Sequence, residues 1–270
     1  MSGDSISGAP LQFSENVVNN MIQNISSPVE MANQIKNSGA GFSQAVLNST
    51  DNISNYNTSF KRALNLGAYS ADLGYINTFN KNTVVVSYLV AVKDLADGLN
   101  VGQFLDFQTL KRLATNSSNL DSLKQLSVSS FNRMDNYLRD QRRSNVSTAI
   151  VAGAWLEGIY ITASVIEQTK DEKLVSRLGE QKEIVNILSL VLDNYSKSDK
   201  NFQDFTAKIE KIKNLYSNVS VKTEILSPET VEIDGMLTIV QKDIVHVEIT
   251  PEQVAEIIAA IKEARDFMIN

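Results

Sequence analysis

The sequence predicts a mainly α protein, a multi-helix bundle of antiparallel hairpins with a small antiparallel β meander before the C-terminal helix. Three observations lead there. Apolar residues recur at three- and four-residue steps through most of the chain, the spacing of a helix with one buried face. Between Ser220 and Thr250 the period falls to two, the alternation of a half-buried strand. Thr250-Pro251-Glu252-Gln253 then supplies a cap, a first-turn proline and a capping-box glutamine, so a last helix opens there.

Taken in order, residues 1–13 are small and polar and read as a flexible leader, 14–218 as the helical bundle, 219–250 as the meander and 251–270 as a terminal helix docking on the bundle. Val17, Val18, Met21 and Ile22, then Val29, Met31 and Ile35, suggest short helices lying over a larger body. Ser27-Pro28-Val29-Glu30 is a helix start with cap, proline and capping-box glutamate. Ser54 to Thr78 keeps helical spacing without proline, Phe79-Asn80-Lys81-Asn82 breaks it, and Thr83 to Ala96 resumes it, which predicts an antiparallel hairpin. Asp106 can cap a short helix through Leu113, and Leu120 to Arg139 is a longer one with Leu123, Leu126, Met134 and Leu138 facing inward.

Thr148 to Ile166 carries one charge, Glu157, over nineteen residues, so a membrane span has to be weighed. Two glycines, several Ser/Thr and a carboxylate near the middle argue for a buried central helix, and no transmembrane helix is expected. Asn201 to Tyr216 places Phe202, Phe205, Ile209, Ile212 and Tyr216 on one face. In the meander, Val231 and Ile233 alternate with Glu232, Asp234-Gly235 forms a hairpin turn, and Leu237 and Ile239 follow. After Lys242-Asp243, Val245, Val247 and Ile249 alternate with His246 and Glu248. Val254, Ile257, Ile258, Ile261 and Phe267 are the residues expected to dock the terminal helix.

Composition excludes several function classes. With 270 residues and 43% hydrophobic content, the core needs no disulfide or structural metal. A net charge of -6 argues against a nucleic-acid surface, because phosphate recognition needs clustered Lys and Arg; the one compact basic group, Arg139, Arg142 and Arg143 around Asp140, reads as a solvated helix end. The absence of cysteine removes thiol catalysis, Cys-ligated zinc and Fe–S clusters. Neither a dinucleotide-binding nor a Walker glycine pattern occurs, and no cofactor is implied. The single histidine, His246, sits on the polar face of a strand beside Glu248, which places it in water and leaves a catalytic triad or a metal pair without support. Of the Asn-x-Ser/Thr triplets at Asn24, Asn48, Asn57, Asn116, Asn145 and Asn194, several fall in segments read as helices, as products of composition and not glycan acceptors, which favours a bacterial source.

Acidic groups inside apolar helices are the candidate site. Tyr69, Asp72 and Tyr75 stand at three-residue steps, as do Glu157 and Tyr160 on the central segment, with Trp155 beside them. A carboxylate drawn into a core must find donors or stay protonated. Two readings stay open. In one, Asp72 and Glu157 accept from tyrosine hydroxyls or pair with Arg62, Arg112 or Arg133 and fix helix register. In the other, Tyr69, Asp72, Tyr75, Trp155, Glu157 and Tyr160 line a ligand pocket between helices. Gly67-Ala68-Tyr69 and Gly153-Ala154-Trp155 look alike, and small pairs beside a ring allow close helix approach.

Ser27-Pro28-Val29-Glu30-Met31, Leu64-Asn65-Leu66-Gly67-Ala68-Tyr69-Ser70-Ala71-Asp72-Leu73-Gly74-Tyr75, Asn119-Leu120-Asp121-Ser122-Leu123 and Gly153-Ala154-Trp155-Leu156-Glu157-Gly158-Ile159-Tyr160, in that order, resemble a family of uncharacterised helical secreted proteins and lipoproteins of Bacteroidetes. The resemblance covers roughly residues 28 to 215 and contains no catalytic motif. It implies export, with residence in the periplasm or at an outer-membrane face and membrane tethering through a removed N-terminal signal; a cytoplasmic location is the alternative. The expected function is therefore that of a non-catalytic helical binding or scaffold protein of the bacterial cell envelope with a protein partner, the alternative being a small-molecule or lipid-binding protein with an inter-helix pocket.

Overall fold

A computed structural model describes residues 28–114, 120–197, 199–233, 236–240 and 244–270. The expected leader, the Val17 to Ile22 segment, the Ser27 cap, the Asp234-Gly235 turn and Lys242-Asp243 lie outside them. Nine α-helices are described: α1 (Pro28–Asn37), α2 (Ser59–Thr78), α3 (Asn82–Gly98), α4 (Phe107–Ala114), α5 (Leu120–Asp140), α6 (Ser144–Thr169), α7 (Glu172–Ser196), α8 (Lys200–Leu215) and α9 (Pro251–Ile269). Four strands, β1 (Ser220–Glu224), β2 (Glu229–Ile233), β3 (Met236–Val240) and β4 (Ile244–Glu248), precede α9. The protein is a helical bundle with a small antiparallel β element before its last helix.

Local chemistry sets the ends of these helices. The side chains of Thr58, Asp171 and Asp199 accept from the backbone N–H groups of Lys61, Leu174 and Asn201, which opens α2, α7 and α8. Thr250 and Gln253 form the full capping box at α9, with Pro251 in the first turn. Asn80 and Asn100 take left-handed backbone after α2 and α3, a conformation asparagine adopts at little cost. The short link Phe79–Lys81 turns α2 back onto α3.

Helix α6 is the axis of the bundle. It packs on α1, α2, α5, α7 and α9, and its residues from Val146 to Ile166 are almost all buried. Its length and hydropathy would suffice to cross a membrane, yet 89% of its most apolar window is enclosed by the other helices. The closest crossing is α2 on α6. A Cβ built on Gly67 would fall onto the Ile150 carbonyl oxygen and 2.6 Å from the Ala154 nitrogen, and one on Gly153 would fall onto the Leu64 carbonyl oxygen and 2.7 Å from its carbon. The two Gly-Ala-aromatic segments thus face each other across a backbone-to-backbone contact that only a missing side chain permits.

Helix α1 and the 3-10 turns at Gln44–Val46 and Thr50–Asn55 cover this pair, with α1 lying on α2 and α6. Helices α7 and α8 pack together, with Phe202, Phe205, Ile209, Ile212 and Tyr216 all buried, and α9 seals the groove between α8 and α6. In α9, Val254, Ile257, Ile258 and Ile261 are buried as expected, but the inward residue of the last turn is Met268, while Phe267 is 38% exposed and stacks at the edge on Phe205. At 100° per residue the buried face runs 254, 257/258, 261, 264/265 and 268, and position 267 falls beside it.

The β pairing is nested. β1 pairs with β4 and β2 with β3, both antiparallel, in registers Ser220↔Glu248 to Glu224↔Ile244 and Glu229↔Val240 to Ile233↔Met236. Strand β4 therefore pairs with β1, outside the inner hairpin, and not with β3. Val221 and Val247 turn toward the core, where Val247 occupies the space left by Gly179 of α7. His246 faces out, 3.4 Å from Glu224, with both side chains more than half exposed. His246→Ala is expected to change stability by no more than about 0.5 kcal/mol. Chemical denaturation checks this, and a loss above about 2 kcal/mol would mean the ring is buried or liganded.

Candidate functional site

On α2, Asn65, Tyr69 and Asp72 recur at four and three residues and point one way, into the space bounded by α6, α9 and the segment from Asn48 to Tyr56. Tyr75 points elsewhere. Two steps of three residues rotate it about 120° from Tyr69, and it stacks on Phe42 at 5.2 Å while its hydroxyl accepts from the Ser43 N–H.

A continuous polar network fills that space. The Asn48 N–H donates to Asp72 Oδ2 at 3.1 Å, and Asn48 Nδ2 donates to Tyr56 Oη and to Asn65 Oδ1. Asn65 Nδ2 donates to the Met268 carbonyl at 3.0 Å. Three tyrosine hydroxyls are committed to backbone carbonyls: Tyr69 to Ser49, Tyr88 to Asn48 and Tyr56 to Ile269. Burial pushes all three phenols upward from their ordinary value, so they stay neutral donors.

Glu157, fully buried on α6, is held by Arg265 of α9 through two parallel hydrogen bonds, Nη2 to Oε1 at 2.9 Å and Nε to Oε2 at 3.1 Å. This is the bidentate fork that a guanidinium offers a carboxylate. The Arg265 guanidinium also lies over the Tyr160 ring, 4.3 Å from its centre. Burial opposes the Arg265 charge, but Glu157 more than restores it, so the net shift is upward. Burial pushes the Glu157 carboxyl up and the Arg265 guanidinium pulls it back. Asp72 is pushed well above the ordinary carboxylate range, first by burial and then by the charge of Glu157, with the Asn48 N–H opposing.

Of the six residues singled out in the sequence, Tyr69, Asp72 and Glu157 meet in this network and Tyr160 borders it through Arg265. Tyr75 and Trp155 do not join them. Trp155 faces α7, where its Nε1–H donates to Gln181 Oε1 at 3.1 Å. The expected partners of the acids are corrected as well. Arg62 donates to the carbonyls of Tyr56 and Gly98, Arg133 to the Phe104 carbonyl and the Ser130 hydroxyl, and Arg112 sits in the last turn of α4, while the hydroxyls of Tyr56, Tyr69 and Tyr88 go to carbonyls and not to carboxyls. The partner is Arg265, four residues after Ile261 on the buried face of α9. That spacing was the available signal, hidden because an arginine near a helix end reads as a solvated charge. Asn48, Tyr56, Asn65 and Tyr88 are the other members that residue pattern did not indicate.

A crevice between α1, α2 and α6, lined by Met31, Ala32, Ile35, Ala71, Tyr75 and Gly158, encloses about 10 Å³, room for roughly one water. Among the described residues no three His, Asp or Glu side chains gather as a metal site. Comparisons with protein-family models, curated proteins and solved structures found no match.

Proposed function

We propose that this chain is a non-catalytic helical binding or scaffold protein of the bacterial cell envelope, acting through a protein partner. The observation that carries the reading is that the candidate site is built into the core: Glu157 gives both oxygens to Arg265, Asp72 accepts from the Asn48 N–H, and Tyr69 and Tyr88 donate to backbone carbonyls. Neither Asp72 nor Glu157 lines the crevice between α1, α2 and α6, which has room for roughly one water. Val86 and Val90, one turn apart on α3, are exposed at 37% and 42%, an apolar stripe of the kind a protein partner covers. The envelope location rests on the resemblance to Bacteroidetes secreted proteins and lipoproteins.

Two measurements test it. Native mass spectrometry of the protein purified from its own cells is expected to give the mass of the chain with no stoichiometric small molecule; a stoichiometric lipid or metabolite would move the assignment to the ligand-binding alternative. A photo-crosslinking residue at Val90 is expected to capture one protein in periplasmic or outer-membrane fractions, where the same residue at exposed Asn201 captures none. Equal capture at both positions, or recovery of the chain in the cytoplasm, contradicts the reading.

A further inference from the structure

Two carboxyl groups and one guanidinium share the closed space between α2, α6 and α9. Glu157 has both oxygens on Arg265, and Asp72 has Oδ2 on the Asn48 N–H, but Asp72 Oδ1 is buried with no donor. A carboxylate oxygen left so, with both Arg265 hydrogen bonds already on Glu157, would carry a poorly compensated buried charge. A carboxylic acid hydroxyl at the same atom needs only an acceptor, and Glu157, fully buried on the packed helix α6, is near enough for its charge to raise Asp72. We propose that Asp72 is held as a neutral acid whose Oδ1–H donates to the Glu157 carboxylate, so that Asp72, Glu157 and Arg265 form a one-proton clasp that fastens the C-terminal helix to the bundle and loosens when the proton leaves.

The groups around the clasp are consistent with a single titrating proton. From α2 come Asp72, Tyr69 and the neutral Asn65; from α6, Glu157 and Tyr160; from α9, Arg265; from α3, Tyr88; and from the covering segment, Asn48 and Tyr56. Tyr56, Tyr69 and Tyr88 donate to carbonyls and have no proton to exchange with the acids. With one proton, the triad of two acids and one guanidinium is neutral overall, as a closed core favours. Burial and the neighbouring Glu157 charge raise Asp72 in the folded state above its unfolded value, so its contribution to stability is complete below about pH 4 and falls as pH rises toward the folded value. Over that window the folding equilibrium constant loses up to about tenfold per pH unit from this group.

Asp72→Asn isolates the effect. Its amide N–H replaces the acid hydroxyl toward Glu157 and its oxygen still accepts from Asn48, so the variant imitates the protonated state permanently. The Tm of D72N is expected to equal or exceed the parent's at pH 7, with the gap widening from pH 5 to pH 9 as the parent alone loses stability. Infrared spectra of the parent at pH 7 should show the C=O stretch of a neutral carboxylic acid that shifts on 13C-labelling of aspartate and is missing from D72N. No such band in the parent, or a band that shifts only with labelled glutamate, overturns the proposal. So does a D72N that melts below the parent with an unchanged pH slope. The labelled-aspartate measurement needs no variant and decides the matter if D72N does not fold.

Discussion

Gly67→Ala and Gly153→Ala are each expected to destabilise the protein by about 3 kcal/mol or more, the upper end of overpacking costs. An exposed helical glycine changed to alanine would gain up to about 1 kcal/mol of helix propensity, so intrinsic preference and packing predict opposite signs. Packing wins here because the added methyl meets backbone on both sides of the crossing: the Ile150 carbonyl and the Ala154 nitrogen against residue 67, the Leu64 carbonyl against residue 153. A side chain in the way could rotate, but a backbone carbonyl inside a helix moves only with the helix. Separating α2 from α6 would then break the contacts of Leu64, Ala68, Ile150 and Leu156 together and pull Asp72 away from Glu157. Gly41→Ala is the control, since nothing lies within 4 Å of its added methyl and its backbone is unstrained. Urea midpoints should drop sharply for the first two and stay put for the third. Should the α2 and α6 variants melt at or above the parent, helix separation here is softer than the crossing implies.

Most of the architecture was legible because it rests on local pattern. The helical period of Asn201 to Tyr216, the capping box at Thr250 and Gln253, and the alternation before α9 each report a single element, and each element forms where its own residues favour it. The apolar Thr148 to Ile166 run marked a helix shielded from water, and its two glycines, Ser/Thr residues and Glu157 pointed to a protein interior over a bilayer. What was not legible is relational. Strand β1, Ser-Val-Lys-Thr-Glu, falls inside the stretch from Ser220 whose alternation predicts strands, but nothing local marks it as the partner of β4. The site divides the same way. That Asp72 and Glu157 needed partners followed from desolvation, but which cation came to Glu157 was decided by how α9 lies on α6, 108 residues away in the chain. Asn48 and Asn65 look like ordinary polar residues in sequence, and only the closing of the covering segment and of α9 over α2 makes Asn48 a donor to Asp72 and Asn65 a donor to the Met268 carbonyl.

Glu157→Ala should cost roughly 3 to 5 kcal/mol, the range for removing one partner of a buried ion pair. That exceeds the loss of a neutral hydrogen-bond partner, about 1 to 3 kcal/mol, because Arg265 cannot shed its charge to escape burial. Glu157→Gln should cost less, since its amide oxygen still accepts one guanidinium N–H. Arg265→Ala strands the carboxylate, but a carboxylate can take up a proton, so this variant should recover part of its loss as pH falls, where Glu157→Ala should not. The double variant Glu157→Leu with Arg265→Met removes both charges and leaves side chains of similar bulk, an exchange that is often neutral or stabilising in buried pairs. The double variant is therefore expected to lose far less than the sum of the single losses of Glu157→Leu and Arg265→Met, and the double-mutant cycle built from these three variants, read by denaturation, measures the coupling. Additive losses would mean that the two residues act separately, and that α9 is held to α6 by Ile257, Ile261 and Met268 without help from the ion pair.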